Sequence, residues 1–137
     1  MFKLSDKLDK TSVNKISSLT LAFIGDAVYS LFVRKRFVFV KDDKGFELNK
    51  KTADIVCASS QAKAVDKLLP LLTEEELAVY KRGRNTKKGT RAKHATVSEY
   101  NKSTGFEALV GYLYLLGENE RLDFLLNIAT EDNIEEI

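Results

Sequence analysis

The sequence predicts an all-α fold, a helical bundle, and three observations carry that prediction. No stretch alternates apolar and polar residues as a half-buried strand would. Two long apolar segments, 18–37 and 103–117, have helical length and no strand-like breaks. Thr73-Glu74-Glu75-Glu76 and Thr96-Val97-Ser98-Glu99 each place a hydroxyl three residues before a glutamate, the reciprocal cap that opens a helix.

In chain order, SLTLAFIGDAVYSLFVRKRF opens on Ser18, ends in a basic turn, and is apolar on nearly every side, which predicts a buried core helix over 18–37. Its apolar run is broken by Asp26 and is shorter than the uncharged span of about 18 residues that a membrane helix requires. Residues 41–45 read as a loop, followed by helices over about 46–58 and 59–72, with Pro70 ending or kinking the second. The Thr73 cap opens a helix to about Arg82. Residues 83–95, GRNTKKGTRAKHA, lack apolar periodicity and read as an exposed basic loop. The Thr96 cap starts the next helical stretch, STGFEALVGYLYLLG from Ser103 reads as another buried helix ending near Gly117, and Glu118 to about Thr130 forms a last amphipathic one.

At 137 residues and 44% apolar content, the chain is expected to be a single domain over 1–137 with a real core. Cys57 is the one cysteine, the N-terminus lacks the basic-then-apolar order of a secretory signal, and both point to the cytoplasm. Cys57 itself reads as a small buried apolar residue. Net charge is only +2, but it is unevenly distributed. Lys81, Arg82, Arg84, Lys87, Lys88, Arg91, Lys93 and Lys102 face only Glu99 between 81 and 102, about +7 in that segment. From Glu118 onward, seven acidic residues face Arg121, a tail that would repel nucleic acid.

Each of the two most apolar helices holds one acid in mid-text: Asp26 in AFIGDAVY and Glu107 in GFEALVGYLYL. A lone ionised carboxylate in a core is strongly disfavoured, so each must be paired, neutralised or bound to a metal. Neither has a basic residue three or four positions away in its own helix. Gly25 beside Asp26 and Gly111 one turn after Glu107 each cost about 1 kcal/mol relative to Ala in a helix interior, which a close helix crossing would offset. Ala22 and Ser30 leave room beside Asp26 for hydrated magnesium, which takes one or two protein carboxylates along with waters and substrate phosphates. Hydrogen bonding to backbone, or a cationic partner distant in sequence, is the other reading that the spacing leaves open.

Ile24-Gly25-Asp26-Ala27-Val28 resembles the signature helix of the ribonuclease III family, and Phe106-Glu107-Ala108-Leu109-Val110-Gly111 resembles its second acidic motif. With Lys50-Lys51-Thr52, Ser60-Gln61-Ala62 and Lys81-Arg82-Gly83-Arg84-Asn85, the likeness covers about residues 15 to 130 and is closer to the branch that has the catalytic domain alone, without a double-stranded-RNA-binding domain. Larger members carry further acids where this chain has Ala22 and Thr104, so a centre with fewer protein ligands is expected.

The resemblance implies a homodimeric endoribonuclease that cuts both strands of double-stranded RNA and leaves 5′-phosphate and 3′-hydroxyl ends. Its substrate would be the terminal stem of precursor 23S ribosomal RNA, free or in ribosomal particles, and no membrane is involved. It implies Asp26 and Glu107 as catalytic and metal-binding residues, with Mg2+ as the ion and Mn2+ as a substitute. Gln61 and Thr104 are candidates for the polar groups behind them, and Phe23 for the dimer interface. Lys50, Lys51, Arg82, Arg84, Asn85, Lys87, Lys88, Arg91 and Lys93 are the candidate RNA contacts, gripping phosphates and 2′-hydroxyls rather than base edges. A non-catalytic RNA-binding or ribosome-assembly module of the same fold is the alternative, and a helical protein-interaction domain a third. His94 is expected to be exposed or on RNA, Tyr112 and Tyr114 to be core.

Overall fold

The computed structural model describes residues 1–40, 45–88 and 94–134, with the side chains of Gly45 and Phe46 left aside. Among the described residues seven α-helices follow in order: α1 (Lys10–Asn14), α2 (Ser18–Val40), α3 (Gly45–Val56), α4 (Ala58–Leu68), α5 (Glu74–Asn85), α6 (Val97–Leu116) and α7 (Asn119–Thr130), with a 3-10 turn at Leu69–Leu71. The all-α prediction holds, and among the described residues there is no strand.

Both predicted capping boxes form. The Thr73 hydroxyl accepts from the Glu76 amide at 3.2 Å while Glu76 Oε1 accepts from the Thr73 amide at 2.9 Å. Thr96 and Glu99 repeat the exchange at 3.0 and 2.9 Å. Pro70, in the 3-10 turn, follows the end of α4 as expected. At the end of α6, Gly117 takes a φ of 72°, and Glu118 N–H donates back to the Leu113 carbonyl at 3.0 Å, a left-handed stop that glycine adopts without strain.

α6 is the hub. It is one helix where two were expected, is buried from Ser103 to Leu113 except at Glu107, and packs against α1, α2, α4, α5 and α7. Tyr29 of α2 meets Phe106 of α6 edge to face, with ring centroids 4.8 Å apart. On the far side of the bundle, Glu76 accepts from Arg121 Nε at 2.9 Å and Nη2 at 2.8 Å, and Arg121 also reaches the Leu71 carbonyl. Burial alone would raise the Glu76 carboxyl, but Arg121 and the Thr73 amide outweigh it and hold it below its ordinary range.

Several expectations need correction. α1 was not anticipated, although Asp9 caps it by accepting from the Ser12 amide at 2.8 Å. α2 is not wholly buried: Leu21, Ala22, Gly25, Tyr29, Val33 and Phe37 are covered, while Leu19, Phe23, Leu31, Val38 and Phe39 face outward. The predicted basic loop starts too early, because α5 runs on to Asn85 and so carries Gly83, Arg84 and Asn85. Cys57 is exposed at the start of α4, its thiol engaged with Ser59, Ser60 and the Asp54 carbonyl. Tyr112 is core as expected, whereas Tyr114 is half-buried and donates its hydroxyl to the Leu4 carbonyl at 2.6 Å.

Candidate active site

The α2–α6 crossing builds the site. A Cβ on Gly25 would stand 1.8 Å from the Glu107 carbonyl oxygen, and one on Gly111 2.0 Å from the Leu21 carbonyl oxygen. The two backbones therefore touch, and only glycine permits it, which is the close crossing that the glycines predicted. Because Asp26 follows Gly25 and Glu107 lies one turn before Gly111, the contact brings the two acids together from positions 81 residues apart.

The Asp26 and Glu107 carboxyls stand within hydrogen-bonding reach of each other. Glu107 is half-buried, and burial first, then the adjacent Asp26, pushes its carboxyl up to about 8, against a smaller opposing pull from Gln61. Asp26 departs from the expectation of a buried acid: it is exposed, at the border between the covered and uncovered faces of α2. Neither acid forms an ion pair with a described residue. Two acids held together without a cationic partner among the described residues form a cation-seeking arrangement.

Gln61, on the first turn of α4, is 1% exposed. Its Nε2 donates to the Val56 carbonyl at 2.9 Å and to Glu107 Oε2 at 3.4 Å, while its Oε1 is buried without a partner. Thr104 is also buried, but its hydroxyl donates to the Tyr100 carbonyl at 3.1 Å within its own helix. Among the described residues, no third His, Cys, Asp or Glu joins the pair to make a three-ligand group. Oxygen donors, paired acids and an unsatisfied buried amide oxygen fit a hard divalent cation that keeps most of its water.

The basic candidates divide. Lys50, Arg82, Asn85 and Lys87 are exposed, Lys51 is half-buried, and Arg84 lies 5.7 Å over the Tyr80 ring while donating to Asn85 Oδ1 at 3.0 Å. Lys88 turns back on α5, its ammonium donating to the carbonyls of Gly83, Arg84 and Thr86 at 3.2, 3.3 and 2.6 Å, and burial lowers its pKa. Its three hydrogens are thus committed to the helix end. Arg91 and Lys93 lie outside the described residues. His94 is exposed, with a positive φ of 66°. Arg34, two turns after Asp26, is a further cation that the sequence reading did not single out, donating to Ser30 Oγ at 3.1 Å and Asn49 Oδ1 at 3.4 Å. Phe23, three residues before Asp26, is 79% exposed.

The ribonuclease III domain family matches residues 19–118. A mini-ribonuclease 3 from Thermoanaerobacter sp. (strain X514) is 46% identical over 93% of this chain and 89% of its own length. One from Clostridium tetani is 42% identical over 92% and 84%. The crystal structure of protein FN1578 from Fusobacterium nucleatum superposes with a TM-score of 0.79 at 33% identity, covering 88% of this chain and 96% of that one. The match spans the Asp26–Glu107 pair and the crossing that forms it, and the chain belongs to the ribonuclease III family, as an endoribonuclease of its mini-ribonuclease 3 branch.

Proposed function

We propose that this endoribonuclease is a magnesium-dependent homodimer that cuts both strands of double-stranded RNA and trims the terminal stem of precursor 23S ribosomal RNA, free or in ribosomal particles. The observation that carries the reading is the meeting of Asp26 and Glu107 across the α2–α6 crossing, with neither ion-paired to a described cationic side chain. Their oxygens would hold Mg2+, with Mn2+ able to substitute. When bound, the ion lowers the pKa of an attacking water and stabilises the charge that develops on the phosphate. The products carry 5′-phosphate and 3′-hydroxyl ends.

Exposed Lys50, Arg82, Asn85 and Lys87, with Arg84 beside them and Arg91 and Lys93 further along the chain, supply the contacts to phosphates and 2′-hydroxyls. Lys51 and Lys88 contribute charge near that surface, Lys88 from the end of α5. A duplex presents two strands, and a dimer presents two acid pairs. The outward face of α2, with Leu19, Phe23 and Leu31, is the apolar surface we assign to the subunit contact. The ribosomal substrate puts the enzyme in the cytoplasm, and among the described residues no helix is long and apolar enough to cross a membrane.

Asp26→Asn tests the reading. With a pre-ribosomal stem as substrate, cleavage that depends on magnesium disappears while binding of the stem persists, and end mapping of the wild-type products places one cut in each strand of the duplex. Undiminished cutting by the variant overturns the assignment.

A further inference from the structure

The amide of Gln61 has a fixed orientation. The Val56 carbonyl can only accept, so the group 2.9 Å from it must be the nitrogen; turning the amide over would set oxygen against oxygen. Both amide hydrogens are then spent, one on Val56 and one on Glu107. The amide oxygen is buried and has no partner among the described residues. An unsatisfied buried acceptor of this kind is disfavoured, and natural proteins keep few of them without an unplaced water or ion to explain each one.

The neighbouring hydroxyls do not supply the missing donor. Ser60 Oγ donates to the Asp54 carbonyl at 2.6 Å, closing the turn between α3 and α4, and the Cys57 thiol is engaged at the same turn. Across the interface, Thr104 spends its hydrogen on Tyr100. No described residue supplies the donor, at a side chain whose other end already touches Glu107.

We propose that Gln61 is the positioning residue of the Asp26–Glu107 centre: its nitrogen fixes one oxygen of Glu107, and its oxygen receives a hydrogen bond from water held in the centre. The proposal rests on the metal-dependent reading above and deepens it. It extends the centre to a third helix, from the Val56 carbonyl at the end of α3, through Gln61 on α4, to Glu107 on α6. A neutral amide gives the centre a further oxygen without adding a third negative charge to two acids that already disfavour each other.

Gln61→Met keeps the length and burial of the side chain and removes both amide bonds; Gln61→Asn keeps the amide and shortens its reach. The two variants and the wild type are compared without RNA for Mn2+ binding by calorimetry and for melting of the metal-free protein, then with RNA for single-turnover rate and KM. Expected is Mn2+ binding weakened about 10–100-fold in both variants, a metal-free melting temperature close to wild type, an unchanged KM for RNA, and a slowed rate that raised Mn2+ restores. If the wild type binds Mn2+ and the variants bind it equally well, whatever their melting temperatures, Gln61 is a structural amide and this proposal falls while the metal reading stands. A wild type that binds no Mn2+ overturns the metal reading and the proposal with it. Should Gln61→Met not fold, unchanged Mn2+ affinity in Gln61→Asn overturns the proposal and weakened affinity supports it.

Discussion

α2 presents two apolar faces that the sequence writes in the same alphabet and the fold uses in opposite ways. On one face Leu21, Ala22, Gly25, Tyr29, Val33 and Phe37 are covered, with Gly25 set against the backbone of Glu107. On the other, Leu19, Phe23, Leu31, Val38 and Phe39 are open. The first face is small and shaped at its centre, because a backbone carbonyl occupies the place of a side chain. The second carries large exposed side chains, a surface that another molecule can cover. Apolar content alone does not separate a helix that builds a core from one that also offers an interface. Asp26 sits at the border, so one helix contributes to the acid pair with one edge and to the assembly we assign with the other.

The covered face should break hardest. Gly25→Ala forces a methyl into the Glu107 carbonyl, and neither backbone can yield without separating α2 from α6. We expect a loss of 3 kcal/mol or more by order of magnitude, read as a fall in the urea midpoint, together with loss of cleavage. A variant as stable and active as the wild type would mean that the crossing is looser than described.

The open face should break differently. Phe23→Lys leaves the fold within about 0.5 kcal/mol of wild type but weakens self-association by about 2 kcal/mol, roughly 30-fold in dissociation constant. Sedimentation across a concentration series checks it, and an unchanged dimer would remove Phe23 from the contact.

A third change sharpens the comparison by touching neither face. Arg121→Met strips the partner from Glu76, whose carboxyl is 5% exposed as a residue and held below its ordinary value of 4.5. In the acid range the folded chain binds fewer protons than the unfolded one. The pair's contribution is therefore complete above pH 4.5 and is lost as pH falls through the folded value. The variant should lose about 1–2 kcal/mol at pH 7 and progressively less as pH falls through the folded value, as urea unfolding across a pH series would show. Self-association and Mn2+ binding should not move.

Much of the site was legible in the sequence because it was written as anomaly. Asp26 and Glu107 are acids in apolar text, and Gly25 and Gly111 are glycines in helices, each a local cost that only a tertiary contact explains. The candidate RNA contacts were legible as charge density but not as individual roles. Lys88 has the same side chain as Lys87, and only the path of the chain after Asn85 turns it onto three carbonyls. Gln61 was visible as a motif residue, yet its partner, the Val56 carbonyl, is backbone and has no letter of its own.

By itself the sequence determined the longer helical segments, the two capping boxes and the residues that required explanation, because those features depend on hydrogen bonds and side-chain spacing within three or four positions. Only the tertiary structure decided that Asp26 is exposed while Glu107 is half-buried, that Cys57 is open and Gln61 closed, and that α2 is covered on one side alone. Burial and the pairing of charges are set by whatever packs alongside, and in this chain the neighbours that matter come from α4 and α6, dozens of residues away.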